Sequence, residues 1–598
     1  MKKRASRSSS KRKPAKKEKK TEETPATTSD VTAIFEEIAS ILEILGENPF
    51  KIRSYQNAAR AVASLPGDLG EMIESGELLN VKGIGKSLFS QIEELYTTGR
   101  IGHYEEIKAR IPDGLLDMLR IPGMGPKKVK AVHEKLGVTT IDELEKAAQE
   151  NEVAALDGFG TKTQVNILYG IQNLRRYSER HLLSKALAES EQILEPIRKH
   201  PDVKRSLLGG SLRRIKETIK DIDILASADK PDAIMELFTT LPRVEAVVAK
   251  GKTKSSVTLK SGINADLRVV SDEEFPFASH YFTGSKEHNT EMRGRAKKMG
   301  LKLNEYGLYK GDELIACKDE AEVFEKLGLD YIPPEIREAS GEIEAAENHT
   351  LPVLITEEDL QGLFHVHTTY SDGTASVEAM AKGAKKMGFQ YLGIADHSRS
   401  AAYAGGLSID AVRKQAAEIG AANKSIKGFR VFHGIESDIL TDGSLDYPDE
   451  VLASFDFVIV SVHQKFGMTE AEMTKRIIRA IENPYTRILG HPTGRLLLAR
   501  EGYKVDLHKL IDAAAANNVV IEINCNPHRL DLDWRYLRTA KEKGVKLAIC
   551  PDSHTVDSMM EYRYGVGIAR KGWLTRDDVI NCLDAEGVAD LFAAKPGG

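Results

Sequence analysis

Gly209-Gly-Ser-Leu-Arg-Arg-Ile-Lys-Glu-Thr-Ile-Lys-Asp-Ile-Asp-Ile-Leu-Ala226 joins a Gly-Gly-Ser turn to an alternating Asp-Ile-Asp-Ile-Leu run. If that run is a strand, successive side chains point to opposite faces, so Ile222 and Ile224 enter the core while Asp221 and Asp223 project together from the other side. Asn264-Ala-Asp-Leu-Arg-Val-Val270 is strand-like too and offers Asp266 as a third carboxylate. Three hard oxygen ligands on neighbouring strands suit two Mg²⁺ or Mn²⁺ ions, which would activate a hydroxyl nucleophile and stabilise a leaving pyrophosphate. Gly210 and Ser211, ahead of a helix, supply N–H and hydroxyl donors for a triphosphate, and Arg213 or Arg214 supplies charge. An isolated Asp-x-Asp is ordinarily a solvated strand face. The Gly-Ser upstream and the later strand carboxylate turn this one into a catalytic centre.

Upstream, from Val31 to about Ser178, apolar residues recur at helical spacing, as in Val31-Thr-Ala-Ile-Phe-Glu-Glu-Ile-Ala-Ser-Ile-Leu42. Between these helices one pattern returns three times: Val81-Lys-Gly-Ile-Gly-Lys86, Ile121-Pro-Gly-Met-Gly-Pro-Lys127 and Leu156-Asp-Gly-Phe-Gly-Thr-Lys162. Two glycines one residue apart let the backbone turn tightly and expose consecutive N–H groups to an anion. This is the helix-hairpin-helix signature, which grips DNA phosphates without reading bases. The expected DNA contacts are Gly83, Gly85 and Lys86, then Gly123, Gly125 and Lys127, then Gly158, Gly160 and Lys162.

Downstream, Pro333 to Asp359 is rich in Glu and Ala with scattered Pro, and residues 336–359 read as a linker with some helix. Beyond Leu360, strand-like runs such as Tyr391-Leu-Gly-Ile-Ala395 and Val519-Val-Ile-Glu-Ile523 alternate with helical segments, the pattern of an α/β barrel-like domain. Potential ligands follow these runs: His365 and His367 in Phe364-His-Val-His, Asp372 in the next turn, His397, Glu436, His463, His491, and the pair Asp552 and His554. Residues at the C-terminal ends of barrel strands face a shared mouth. Nine nitrogen and oxygen ligands exceed what one ion takes, so the set predicts two or three Zn²⁺, Mn²⁺ or Fe²⁺ ions. His433, His508 and His528 fall outside the pattern and are read as structural, while Asn524 and Arg529 are candidates for the rim.

At the aspartates the chain resembles the nucleotidyltransferases, and closely the family X DNA polymerases. Tyr281-Phe-Thr-Gly-Ser285, Asn289, Arg293 and Leu303-Asn-Glu-Tyr306 keep that family's order and spacing. The resemblance implies that Asp221, Asp223 and Asp266 are the metal-binding triad and that Gly210, Ser211, Arg214 and Gly284 contact the nucleotide. It places Tyr281 near the sugar, where it would disfavour a 2′-hydroxyl, and Asn289 and Arg293 along the minor groove and template. One position departs. Members with deoxyribose-phosphate lyase activity carry a Schiff-base lysine where this chain has Gln91, and Lys86 lies five residues earlier on another helical face. From the His-x-His opening to the Asp-x-His close, the C-terminal set resembles the polymerase and histidinol phosphatase (PHP) domain, which implies metal-dependent phosphoester hydrolysis with Glu436 bridging two ions.

At 598 residues the chain is long enough for several domains, and its 41% hydrophobic and 29% charged residues exclude wholesale disorder. Residues 1–20 hold 11 Lys or Arg against the single Glu18, a local charge of +10; with −5 overall, the rest carries −15. A basic, Ser-rich arm on an acidic body suits a nucleic-acid partner. The four cysteines stand far apart and suggest neither a zinc knuckle nor a disulfide framework. No run approaches the length of a membrane span, and a secretory leader is not read at the N-terminus.

The expectation is a multidomain protein: a disordered basic tail over 1–30, α-helical helix-hairpin-helix modules over 31–115 and 116–180, an α/β nucleotidyltransferase palm over 181–270, a thumb over 271–335, the linker, and a distorted (βα) barrel PHP domain over 360–598. Such a protein would fill short gaps in DNA repair from deoxynucleoside triphosphates, acting on gapped or primed DNA as a cytoplasmic, nucleoid-associated monomer with 3′-end trimming by the PHP domain. The alternatives are a polymerase fused to a small-molecule phosphatase and a DNA-binding scaffold with inactive sites.

Overall fold

The Asp-Ile-Asp-Ile-Leu run forms a strand in the computed structural model, which describes residues 26–63, 65 and 69–593. The basic arm at 1–20 lies outside the described residues. The chain divides into one unit running to Leu168 and a second beginning at Tyr169.

In the first unit short helices alternate with the three glycine turns. Gly83, Gly123 and Gly158 hold φ values of +103°, +84° and +84°, which an L side chain adopts only under strain. The hydrophobic residue between each pair of glycines, Ile84, Met124 or Phe159, is buried, while both glycines and the following lysine are exposed. The turn is thus nailed to the core by one side chain and shows its amides outward. Gly85 and Gly125 cap the helices Lys86–Thr98 and Pro126–Leu136 from extended backbone.

The second unit opens with a sheet of β1 (Val203–Leu208), β2 (Asp221–Ala228), β3 (Val244–Lys250), β4 (Lys254–Leu259) and β5 (Asn264–Val270), in the order β1-β2-β5-β4-β3. Only β2 and β5 run parallel, and their register sets Asp223 opposite Asp266. Ile222 and Ile224 pack under Ile193, Ile197, Ile234 and Phe238 of the covering helices Leu183–Arg198 and Pro231–Thr239. The apolar half of the alternation therefore turns the aspartates to the uncovered face. Next come the helices Phe275–Thr283 and Lys286–Lys298 and the antiparallel strands β6 (Lys302–Asn304), β7 (Gly307–Lys310) and β8 (Glu313–Ile315), around a core of Phe277, Met292, Leu308 and Phe324.

Residues 336–359 are not a loose connector. Ile336, Ala346 and Leu354 belong to that same core, and Arg337, fully buried, gives Nη1 to Glu320 Oε1 at 2.6 Å and Nε to the Ile332 carbonyl at 2.8 Å. Seven parallel strands follow in sequence order: β9 (Gly362–Val366), β10 (Tyr391–Ile394), β11 (Arg430–Asp438), β12 (Phe457–Ser461), β13 (Thr486–Leu489), β14 (Val520–Asn524) and β15 (Leu547–Cys550). Val366 bridges to Ser553 just past β15, so the sheet nearly closes into the expected barrel. Nearly every strand residue is buried, as parallel strands covered on both faces require. All four cysteines are buried and unpaired, and among the described residues no helix is long and apolar enough to cross a membrane.

Candidate active sites

The first site is built where β1 hands the chain to β2. Gly209 and Gly210 sit so close to Asp223 and to the Phe282 carbonyl that a side-chain carbon at Gly210, which has φ +58°, would collide with the Asp223 carboxylate. The helix Gly210–Arg213 can therefore press its first turn against the carboxylates. Burial, with Asp221 and Asp266 alongside, pushes the Asp223 carboxyl up to about 7, although Lys254 and Arg214 oppose the rise. Lys254 Nζ pairs with Asp266 Oδ2 at 2.6 Å and is the one ion-pair partner of the three carboxylates among the described residues. Crowded carboxylates with so little counter-charge are a donor set that fits hard divalent cations.

The two candidate arginines part company. Arg213 spends its fork on Glu320, at 2.7 and 3.2 Å, and on the Thr283 hydroxyl at 2.6 Å, a structural role. Arg214 stays beside Asp223, its Nε on Glu338 Oε1 at 3.1 Å and its Nη1 on the Thr283 carbonyl. Gly284 abuts that guanidinium: a side-chain carbon there would lie 2.9 Å from Arg214 Nη1. Ser285 caps the helix Lys286–Lys298, and Asn289 Nδ2 donates to the Tyr281 carbonyl at 2.7 Å, while Arg293 Nε donates to the Asn289 carbonyl at 3.3 Å. Tyr281, Asn289 and Arg293 are thus chained to one another.

The second site lies at the C-terminal ends of the barrel strands, and all nine expected ligands meet there. Their side-chain donors close to within 4.8 Å of one another in three groups: His367, Asp372, His397 and His554; His365, His367 and Asp552; and His397, Glu436 and His463. His491 Nε2 joins through Glu436 Oε1 at 2.9 Å. Glu436 stands at the centre, with His397 Nδ1 at 2.8 Å and His365 and His463 Nε2 each at 3.3 Å. Burial alone would raise its pKa, but His463, His365 and His397 outweigh it and hold the carboxylate ionised. His365, His491 and Asp552 sit at positive φ, +62°, +23° and +53°, backbone strain of the kind that concentrates at functional sites. Among the described residues, buried His367 Nδ1 and His491 Nδ1 have no hydrogen-bond partner, and His365 Nε2, His397 Nδ1 and Glu436 Oε2 make close contacts without hydrogen-bond geometry. Convergent, buried imidazoles and carboxylates fit a cluster of metal ions.

Comparison with known proteins agrees with this architecture. The helix-hairpin-helix domain family matches residues 27–101, the SAM-like helix-hairpin-helix tandem 115–172, the DNA polymerase beta thumb 278–338 and the PHP domain 364–526. Over 563 residues the chain is 37% identical to the DNA polymerase/3′-5′ exonuclease PolX of Bacillus subtilis (strain 168), covering 94% of this chain and 98% of that one. The chain belongs to the PolX family, the bacterial family X polymerases with a C-terminal PHP domain. It is also 29% identical over 228 residues to a probable phosphatase of Thermoanaerobacter sp. (strain X514), 36% of this chain and 88% of that protein, and 29% identical over 199 residues to a probable phosphatase of Acetivibrio thermocellus, 32% and 78%.

In this PolX-family chain the PHP match ends before Asp552 and His554, which the closure at Ser553 brings back to the cluster. Sequence reasoning missed the residues that orient the ligands. Glu522 Oε1 lies 2.5 Å from His365 Nδ1 and favours a proton there, which leaves Nε2 facing the cluster, and Glu522 also accepts from the His491 amide. Asp438 does the same for His463 Nδ1 at 2.5 Å. Asp396, accepting from the Thr368 amide and hydroxyl and from Gln415, braces the loop that carries Asp372. Asn524 and Arg529 reach Asp552, at 3.1 and 3.6 Å. His433 packs on Phe455 away from the ligands. At the lyase position Gln91 accepts a hydrogen bond from the Tyr55 hydroxyl at 3.1 Å, and Lys86 begins the helix.

Proposed function

We propose that this chain is a DNA polymerase that fills short gaps during repair and trims 3′ ends with its PHP domain. The observation that carries the reading is the coexistence, in a chain matched along almost its whole length by PolX, of an aspartate face beside a glycine turn and a complete PHP ligand cluster. The exposed glycine amides and Lys86, Lys127 and Lys162 hold the phosphates of gapped DNA. Ser211 and Arg214 bind and orient the deoxynucleoside triphosphate, Gly284 lets the nucleotide approach the backbone, and Tyr281 crowds the sugar edge where a ribose would carry its extra hydroxyl. Asn289 and Arg293 follow the minor-groove side of the nascent pair. Asp221, Asp223 and Asp266 would hold two Mg²⁺ or Mn²⁺ ions, which when bound supply charge neutralisation at the primer hydroxyl and pyrophosphate.

In the PHP domain the nine ligands, with Glu436 at their centre, would hold two or three Zn²⁺, Mn²⁺ or Fe²⁺ ions, and these would supply hydrolytic power toward a phosphodiester. Glu522 and Asp438 keep His365 and His463 in the tautomer that leaves Nε2 free, and Arg529 at the rim offers its charge to the departing phosphate. The protein acts as a monomer in the cytoplasm, at the nucleoid, and lacks deoxyribose-phosphate lyase chemistry.

A second reading, in which the PHP domain is a small-molecule phosphatase, draws on the probable phosphatases it resembles. Incubating the protein with Mn²⁺ and either a 5′-labelled oligonucleotide or a simple aryl phosphate monoester separates the two. Shortening of the oligonucleotide with little monoester turnover is the expected result, and rapid monoester turnover with an intact oligonucleotide would favour the second reading.

A further inference from the structure

The turn that carries Arg214 is docked on the PHP domain. Immediately after the helix Gly210–Arg213 the chain passes through Ile215 at φ +51°, a conformation that a β-branched residue holds only when its surroundings enforce it. The surroundings are the PHP helix Tyr562–Lys571: a side-chain carbon on Gly567 would lie 2.8 Å from Ile215 Cγ2, so the missing side chain lets the Ile215 side chain seat against the helix. At the end of that helix Lys571, 1% exposed, donates Nζ to the Arg214 carbonyl at 2.9 Å, to the Glu335 carbonyl at 3.1 Å and to Glu338 Oε1 at 2.6 Å.

Glu338 Oε1 is also the acceptor for Arg214 Nε, and Lys216 reaches the other oxygen at 3.3 Å. Three cations therefore share one carboxylate. Lys571 satisfies it from the PHP side, so Arg214 is oriented by Glu338 without being neutralised by it and keeps charge for an incoming anion. Both lysines lie over the Trp534 ring, Lys571 Nζ at 4.6 Å and Lys216 Nζ at 5.0 Å from its centre, and Glu217 continues the contact to Arg535 at 3.5 Å.

We propose that the PHP helix Tyr562–Lys571 is a positioning element of the polymerase site, with Lys571 holding Arg214, and Gly567 seating its turn, in the geometry that receives the triphosphate. The proposal rests on Arg214 being a nucleotide contact, as argued above. Lys571 donates to none of the nine PHP ligands, so its effect on the polymerase site runs through Arg214 and the Glu338 carboxylate they share.

The test measures single-nucleotide incorporation on gapped DNA by the full-length protein as the triphosphate is varied, for Lys571→Met, Gly567→Ala, Arg214→Ala and Lys571→Met with Arg214→Ala. Lys571→Met raises the triphosphate KM about tenfold, with 3′-end degradation at the parental rate, and adds nothing once Arg214 is gone, because the two residues act as a coupled pair. An unchanged KM, or the same fold increase with and without Arg214, would overturn the proposal. Should Lys571→Met fail to fold, Gly567→Ala, which keeps every charge, carries the test: a raised KM with intact degradation supports the proposal and a parental KM refutes it. A parental KM in Arg214→Ala would instead overturn the nucleotide reading of Arg214 beneath it.

Discussion

Glu522 has no metal-binding signature around it, yet it decides which nitrogen His365 offers. Its carboxylate holds the proton on Nδ1, and Gln in its place would accept the same hydrogen bond without the charge. Loss of such an orienting carboxylate lowers metal affinity or activity by about 10- to 100-fold in comparable sites. Glu522→Gln is therefore expected to cut 3′-end degradation by that factor, with excess Mn²⁺ recovering part of the rate, while primer extension stays at the parental level; a variant degrading at the parental rate would remove Glu522 from the account. The convergence of the nine expected ligands could be anticipated because most of them follow an apolar, strand-like run, with Asp372 in the turn after one. Glu522 was not, because a lone acid inside Val520-Ile-Glu-Ile-Asn524 looks like any strand residue and its partner lies 157 positions upstream. Gln91 is the complementary case, a residue whose meaning lies in what it lacks. Borohydride reduction on an incised abasic site is expected to trap little covalent adduct, since an amide forms no imine. Efficient trapping that vanishes in Lys86→Ala would show that the amine has moved.

Elements whose role depends on a repeated local pattern were readable in advance. The Asp-x-Asp strand and the glycine hairpins fall into this class, since alternation fixes a strand's faces and a glycine pair fixes a turn. For the segment 336–359, composition suggests a linker with some helix and says nothing of the ion pair that anchors its start in the core. Arg337 is wholly buried there, and Glu320 is what makes that tolerable. Burial would raise the Glu320 pKa, but Arg337 and Arg213 outweigh it and hold the carboxyl well below its ordinary 4.5. A carboxyl depressed on folding stabilises the fold above its unfolded pKa and loses that contribution as pH falls toward the folded value. Glu320→Gln, which leaves Arg337 facing a neutral partner, is expected to cost about 3 kcal/mol at pH 7. In denaturant melts the gap from the parent stays constant from pH 7 to about 5 and narrows below about 4.5. A gap that is flat to pH 3 would mean the pair contributes no charge-dependent stability.

At the scale of the whole molecule the order of domains could be read from texture, helical turns first and alternating strands and helices last, and the barrel follows from that alternation. How the last domain meets the nucleotide turn could not be read. The Lys571 contact with Arg214 spans 357 positions, and no spacing or periodicity links them. The basic arm belongs to this scale as well: DNA affinity is expected to fall steeply with salt, by about 0.9 in log affinity per log salt for each neutralised phosphate, and removal of residues 1–20 should flatten that slope in a binding titration. An unchanged slope would leave the arm without a DNA role.

The central claim is that one chain carries two chemically separate centres. Asp223→Ala removes a carboxylate from the palm face, and His365→Ala with His367→Ala removes two nitrogens from the barrel cluster while leaving the helix Tyr562–Lys571 in place. The decisive measurement runs the parent and these two folded variants on labelled gapped DNA, with and without triphosphates, and resolves extension and degradation on one gel. The account predicts that Asp223→Ala degrades but does not extend and that the double-histidine variant extends but does not degrade. Loss of both activities in Asp223→Ala, or parental degradation by the double-histidine variant, would contradict it.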